Sequence, residues 1–260
     1  MIKLNNEPVN VTIFPDGTSQ VWKLSDSQIK YIINNEYIEV HWEFESESEI
    51  FPLIQLSDLI NHEYYTQVYE YMKELRLVAP YLPYARQDKA INNIQTFALY
   101  SFIHCLGEYY DAIQSIDVHP PNYKDVGLID NIFPSKYIDF AIEDCAASVI
   151  CYPDKGAHKR YSYHYSFPEC VMEKVRDQLT GDIVGLQFET SPPMLSGENI
   201  LIVDDICDGG RTFIETAKLL KEFAPSSINL YTTHGLYTKG LDVIYESGIS
   251  KIYNRNGLVK

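Results

Sequence analysis

The densest group of reactive side chains in the 260-residue chain is V-D-D-I-C-D-G-G-R-T, residues 203–212. It holds three carboxylates (Asp204, Asp205, Asp208), two adjacent glycines (Gly209, Gly210), the cation Arg211 and the hydroxyl of Thr212. Carboxylates accept hydrogen bonds from sugar hydroxyls and offer hard oxygen ligands to hydrated Mg²⁺. Glycines let backbone amides turn inward, and the N-terminus of a following helix adds its positive end, which together make an anion cradle. A loop that only caps a helix would need no more than Asp208 or Thr212.

Such a cradle needs a strand end and a helix start to hold it. Residues 199–203 read as a strand stopping at Asp204-Asp205, and Phe213, Ala217, Leu220 and Ala224 mark a helix closed by Pro225. The pattern recurs along the chain. Residues 9–14 form an apolar run that stops at Pro15-Asp16-Gly17, and residues 92–106 place Ile94, Phe97, Ala98, Phe102, Cys105 and Leu106 at helical spacing. Residues 113–118 read as a strand stopping at His119-Pro120-Pro121, residues 148–151 as one ending at Pro153-Asp154-Lys155-Gly156, and residues 228–232 as the strand after the 213–224 helix. Strands alternating with helices imply an α/β fold with parallel sheets, whose ligands bind beyond the carboxyl ends of the strands. The expectation is two consecutive α/β domains, 1–128 and 129–260, with the junction within residues 122–130.

The 203–212 segment resembles the ribose-5-phosphate loop, D-D-x-x-D-T/A-x-G-T, of type I phosphoribosyltransferases and ribose-phosphate pyrophosphokinases (PRPP synthetases). By that resemblance Asp204 and Asp205 hold the ribose 2- and 3-hydroxyls, while Asp208, Gly209, Gly210 and Thr212 surround the 5-phosphate. Arg211 stands where the family usually has Gly, and Gly209 where it usually has Thr. Residues 79–89, A-P-Y-L-P-Y-A-R-Q-D-K, are similar to the synthetases' PYxxYARQD segment, which implies ATP contacts for Arg86, Gln87 and Asp88. Arg offers paired donors to phosphate oxygens, and Gln can read an adenine edge. Ser115-Ile116-Asp117-Val118-His119 resembles the family's strand-end D-L-H, and residues 149–160 its S-P-D-x-G-G-x-x-R, with Ala157 in place of the second Gly. The resemblance makes His119 and Asp154 the metal contacts.

Glu173-Lys174-Val175-Arg176 matches the Lys-x-Arg of the family's mobile catalytic loop, so Lys174 and Arg176, with His119, are the implied catalytic residues. Thr233-His234-Gly235 matches a further family motif and is read as fold evidence only. Phe14-Pro15-Asp16-Gly17-Thr18 resembles F-x-N/D-G-E, a loop that reaches a neighbouring subunit's ATP, which implies ATP contacts for Phe14 and Asp16 and a homo-oligomer, dimer or larger. Thr18 replaces the Glu. The resemblance spans residues 11 to about 238; the family's further strand and helix are missing after Asn254, and its Q-I-Q-G-F-F stretch is replaced at Pro120-Pro121-Asn122-Tyr123.

The fold so implied is two consecutive type I phosphoribosyltransferase-like domains with parallel sheets flanked by helices. The activity is Mg²⁺-dependent transfer of diphosphate from the co-substrate ATP to the 1-hydroxyl of a 5-phosphorylated ribose. The acceptor is ribose 5-phosphate, or a larger anion such as ADP-ribose if Arg211 selects it, which would serve nucleotide or NAD synthesis. Two alternatives remain open: a phosphoribosyltransferase of nucleotide salvage, which would not need the YARQD segment, and a non-catalytic synthetase-like subunit, which would be expected to lose Lys174, Arg176, His119 and Asp154.

Composition narrows the field further. Thirty-six acids against 21 Lys plus Arg give a formal charge of −15, a field that opposes broad nucleic-acid or anionic-membrane binding. No apolar run is of signal-peptide or membrane-spanning kind. The five cysteines, Cys105, Cys145, Cys151, Cys170 and Cys207, never form CxxC; they are expected as small buried hydrophobes in a reducing cytoplasm. The acidic patch 43–49 is expected as a solvated turn or edge.

Overall fold

Two sheets with parallel centres, the first antiparallel at one margin and the second at both, organise the chain in a computed structural model that describes residues 1–62, 73–87, 94, 96–119, 127–176 and 183–259. They belong to two compact units, Met1–Phe133 and Pro134–Lys260.

The first unit runs β1 (Ile2–Leu4), β2 (Glu7–Pro8), β3 (Val11–Ile13), β4 (Ser19–Val21), α1 (Asp26–Asn34), β5 (Tyr37–Trp42) and α2 (Ile50–Asn61). It continues with β6 (Glu74–Val78), α3 (Ala98–Gly107), β7 (Ala112–Ile116) and β8 (Ile129–Ile132). The sheet order is β2-β1-β5-β6-β7-β8, with β5 to β8 parallel. Ile38, Val40 and Trp42 of β5 and Leu75 and Leu77 of β6 alternate inward and are buried against Leu53, Leu56 and Ile60 of α2 and Leu99, Ile103 and Leu106 of α3. Period-2 apolar spacing on strands meeting helical spacing on their covers is what makes this a layered core.

Three local expectations shift. The run 9–14 divides: the Val9 amide donates to the Ile2 carbonyl (2.9 Å), and only Val11–Ile13 forms a strand, paired with β4 in a separate hairpin. The helix expected over 92–106 begins at Ala98, and Ile94 is 92% exposed rather than on the apolar face. In the acidic patch, Glu49 is no solvated edge residue: its carboxylate meets the Met1 ammonium, accepts from Trp42 Nε1 (3.0 Å) and lies below the usual carboxylate range through those bonds, although burial works the other way.

The second unit comprises α4 (Ser135–Cys145), β9 (Val149–Tyr152), α5 (Lys155–Tyr161), β10 (Glu169–Arg176), β11 (Ile183–Phe188), β12 (Asn199–Cys207), α6 (Arg211–Lys221), β13 (Ser227–Gly235), α7 (Asp242–Glu246), β14 (Lys251–Asn254) and β15 (Gly257–Leu258). Its order is β11-β10-β9-β12-β13-β14-β15. Ile200, Ile202 and Cys207 of β12 and Ile228 and Leu230 of β13 pack with Phe213, Ala217 and Leu220 of α6. After Asn254 the chain turns back as β15, antiparallel to β14. Cys145, Cys151, Cys170 and Cys207 are buried, whereas Cys105, on α3, is exposed, contrary to the expectation for it. No described helix is long and apolar enough to cross a membrane.

Candidate active site

The strand expected to stop before Asp204 continues through Cys207, because β12 and β13 stay in parallel register as far as Ile206↔His234 and Cys207↔Gly235. Asp204 and Asp205 therefore stand on a strand, held by the sheet. The helix begins earlier than expected, so Arg211 and Thr212 form its first turn rather than a loop. Asp208 and Gly209 bridge strand to helix. Gly210 is the N-cap in the left-handed region (φ +77°), and a Cβ there would meet Ile244 Cγ1 at 3.0 Å, so both backbone and space require glycine. No side chain caps α6. Its first-turn amides, at Arg211, Thr212 and Phe213, are left without an intrahelical acceptor. Arg211 is exposed and makes no ion pair or hydrogen bond among the described residues.

The twin acids differ in environment. Asp205 is buried and paired to Arg160, with Nη1 2.9 Å from Oδ2. Asp204 accepts from the Asp205 amide (2.9 Å), yet burial and then the Asp205 and Asp154 carboxylates push its pKa well above the ordinary carboxylate value. Arg160 ends the motif that follows β9, but its partner lies in another segment, and nothing in the local pattern announces the pair.

Asp154 is the N-cap of α5: its Oδ1 accepts from the Ala157 amide (3.0 Å), so Ala at that position fits an ordinary helix start. Its Oδ2 lies 3.5 Å from Lys174 Nζ. Lys174 and Arg176 are on β10, a strand rather than a loop. The first half of β10, Glu169–Val171, pairs with β9; from Met172 to Arg176 it pairs with β11, with a register shift between Val175 and Arg176. Lys155 of α5 ties down that ribbon's base, meeting Glu173 (2.8 Å) and Glu189 (3.0 Å).

In the first unit Arg86 and Gln87 are exposed at a turn after β6, where the Gln87 amide donates to the Tyr84 carbonyl (2.8 Å). The Tyr84 hydroxyl donates to Glu47, and its ring packs on Phe102 at 5.0 Å. Asp88 lies outside the described residues. His119 follows β7 at a strand end fixed by Asp117 N to Ile132 O (2.9 Å) and Val118 N to Asn131 Oδ1 (2.9 Å). Phe14 and Asp16 sit on the β3–β4 hairpin, where Thr18 donates to Asp16 Oδ1 from both its hydroxyl (2.7 Å) and its amide (3.0 Å), which lowers the Asp16 pKa. Thr18 thus locks Asp16 instead of presenting a carboxylate.

His119 and Asp154 belong to different units, and among the described residues no group of three or more His, Cys, Asp or Glu is arranged to hold a metal. Mg²⁺ is commonly held by one or two carboxylates plus water and phosphate oxygens. Asp204 and Asp154, close enough for one to raise the other's proton affinity, fit that modest donor set.

Residues 150–245 match the family model of the phosphoribosyl transferase domain. The chain is 28% identical over 240 residues to ribose-phosphate pyrophosphokinase of Pyrococcus abyssi, covering 89% of this chain and 78% of that one. It is 28% identical over 244 residues to the same-named protein of Pyrococcus furiosus, covering 89% and 79%. A crystal structure of phosphoribosylpyrophosphate synthetase from Mycobacterium smegmatis superposes with a TM-score of 0.72 at 18% identity, over 94% of this chain and 78% of that chain.

Proposed function

We propose that this chain, similar to the ribose-phosphate pyrophosphokinases over most of its length and carrying a phosphoribosyl transferase domain, transfers the diphosphate of ATP to the 1-hydroxyl of a 5-phosphorylated ribose. The observation that carries the reading is the sequence of groups along β12 and α6: two strand-held carboxylates, a left-handed glycine and an uncapped helix N-terminus. That order suits a sugar diol followed by its phosphate.

In this reading Asp204 and Asp205 accept from the ribose hydroxyls, with Arg160 paired to Asp205 and orienting it. The amides of Arg211, Thr212 and Phe213 take the 5-phosphate, beside Asp208, Gly209 and Gly210. The nucleotide falls to the first unit, where Arg86, Gln87 and Asp88, with Phe14 and Asp16, are its contacts. The 1-hydroxyl attacks the β-phosphorus of ATP in line, and AMP leaves. Catalysis of this type is mostly positioning and neutralisation of charge. Lys174 and Arg176 supply cations to the transferring group. Asp154 and His119 are the residues that would hold Mg²⁺, which would supply positive charge to offset that of the phosphates.

Arg211 favours a second acceptor. An unpaired cation on the first turn of α6 fits an acceptor larger than ribose 5-phosphate, such as ADP-ribose, whose diphosphate carries more charge. AMP release from Mg-ATP with each acceptor, followed by the mass of the product, tests both readings. AMP with ribose 5-phosphate alone makes the acceptor plain ribose 5-phosphate, and AMP with ADP-ribose alone makes Arg211 a selector. No AMP with either overturns the enzyme reading. Equal turnover of both acceptors by the parent and by Arg211→Gly removes Arg211 from selection.

A further inference from the structure

The segment after β13, Leu236–Gly240, forms a turn against the acceptor loop. The amides of Leu236 and Tyr237 donate to the Cys207 carbonyl (2.8 and 3.2 Å), and the Thr238 amide donates to the Asp208 carbonyl (3.2 Å). The Thr238 hydroxyl donates to Asp208 Oδ1 (2.7 Å). A bond from Gly240 N to Tyr237 O (2.8 Å) closes the turn, with Gly240 at φ +82°. This arrangement fixes Lys239 on the turn and lays its side chain across Gly209. A Cβ built on Gly209 would have Lys239 Cδ and Cε at 3.4 Å and Cγ at 3.7 Å. The ammonium, one bond beyond Cε, is therefore carried at the strand–helix junction.

Three carboxylates belong to that junction, yet Lys239 makes no ion pair or hydrogen bond among the described residues. A cation that the surrounding acids leave unneutralised, held over a glycine beside uncapped helix amides, has an anion as its natural partner. We propose that Lys239 is a specificity-determining residue that binds the 5-anion of the sugar acceptor together with the α6 amides. The substrate class is a ribose whose 5-oxygen carries phosphate or diphosphate. This rests on the acceptor-loop reading above and assigns it a residue outside the loop itself.

Lys239→Met tests it, because Met keeps the apolar stem over Gly209 and removes the charge; Lys239→Arg restores a cation. Ribose 5-phosphate, ADP-ribose and inorganic phosphate are titrated calorimetrically without ATP, and KM for ATP and kcat are measured alongside. The expected result is an approximately tenfold weaker affinity of Lys239→Met for whichever sugar binds, an equal loss for phosphate, recovery in Lys239→Arg, and unchanged KM for ATP. Unchanged affinity for the sugar in Lys239→Met, with AMP release intact, overturns the role of Lys239 alone. Phosphate binding that depends on Lys239 in a protein releasing no AMP overturns the function reading alone. No binding of any of the three probes overturns both.

Discussion

Replacing Arg160 by Met isolates the energetics of the twin acids. Its partner Asp205 is 4% exposed and Arg160 14%, at 2.9 Å, so water does little to screen the pair. Breaking a buried pair by removing one member costs about 3–5 kcal/mol, because the other charge stays buried. The Asp205 carboxyl, once the guanidinium is gone, has an escape, since it can take up a proton. At pH 7 that costs about 1.4 kcal/mol per unit over some three units, which caps the penalty near 4 kcal/mol. At pH 5 the cap is about 1.5 kcal/mol by the same arithmetic. With about 4 °C of Tm per kcal/mol for a unit of this length, Arg160→Met should lower Tm by about 12 °C at pH 7 and by about 6 °C or less at pH 5. Calorimetric melting of Arg160→Met, Asp205→Asn and the double variant at both pH values is the assay. The double variant should recover most of the loss, giving a coupling energy of at least about 2 kcal/mol. A shift below about 2 °C at pH 7, or equal shifts at both pH values, would refute the claim that an uncompensated carboxylate is what the structure avoids.

Asp204 gives the opposite pH signature. Its folded pKa is raised by burial and by the Asp205 and Asp154 carboxylates, so its stabilising contribution is present below about pH 3.9 and is lost as pH rises through the higher folded value. Asp204→Asn should therefore raise Tm above that window, while flattening the acid limb of kcat/KM for the acceptor, which needs the carboxylate as hydrogen-bond acceptor. Lys174→Ala and Arg176→Ala should each lower kcat by about 10²–10³ and leave ATP affinity within a few-fold; unchanged kcat in either removes that residue from the chemistry. Gly210→Ala forces a Cβ into the left-handed region and toward Ile244 at 3.0 Å, so a loss of about 1–2 kcal/mol in chemical denaturation is expected, against little for Gly209→Ala, whose neighbour is the flexible Lys239 stem at 3.4 Å.

The alternation of elements was readable because buried parallel strands leave short apolar runs, as at 199–203 and 148–151. Strand ends were less readable. Asp204, Asp205, His234 and Gly235 look like loop residues by composition, and only pairing between β12 and β13 keeps them extended. Lys-x-Arg gave no sign of strand structure, since a two-stranded ribbon forms through its partner and not through its own pattern. Arg160 and Lys239 show the same limit for the site. Each meets the loop from a distant segment, and a lone cation in sequence carries no mark of what it will face. The glycines were the clearest local signal: Gly210 adopts a conformation other residues resist.

The partner exchange of β10 has a mechanical consequence. Up to Val171 the strand is part of a seven-stranded sheet, and from Met172 it is half of a ribbon. At its base that ribbon is fastened by Lys155 to Glu173 and Glu189, and by Phe188 edge-on to Phe223 at 5.3 Å. Beyond Lys174 the register shift interrupts the ladder before Arg176. The two basic residues, two positions apart, thus stand on opposite sides of that register shift. An isolated hairpin is only marginally stable in water, so the outer part can open without disturbing the sheet. Amide hydrogens from Glu169 to Val171 should then exchange orders of magnitude more slowly than that of Arg176. Lys174 and Arg176 are thereby separated along one strand by the point at which its ladder is interrupted.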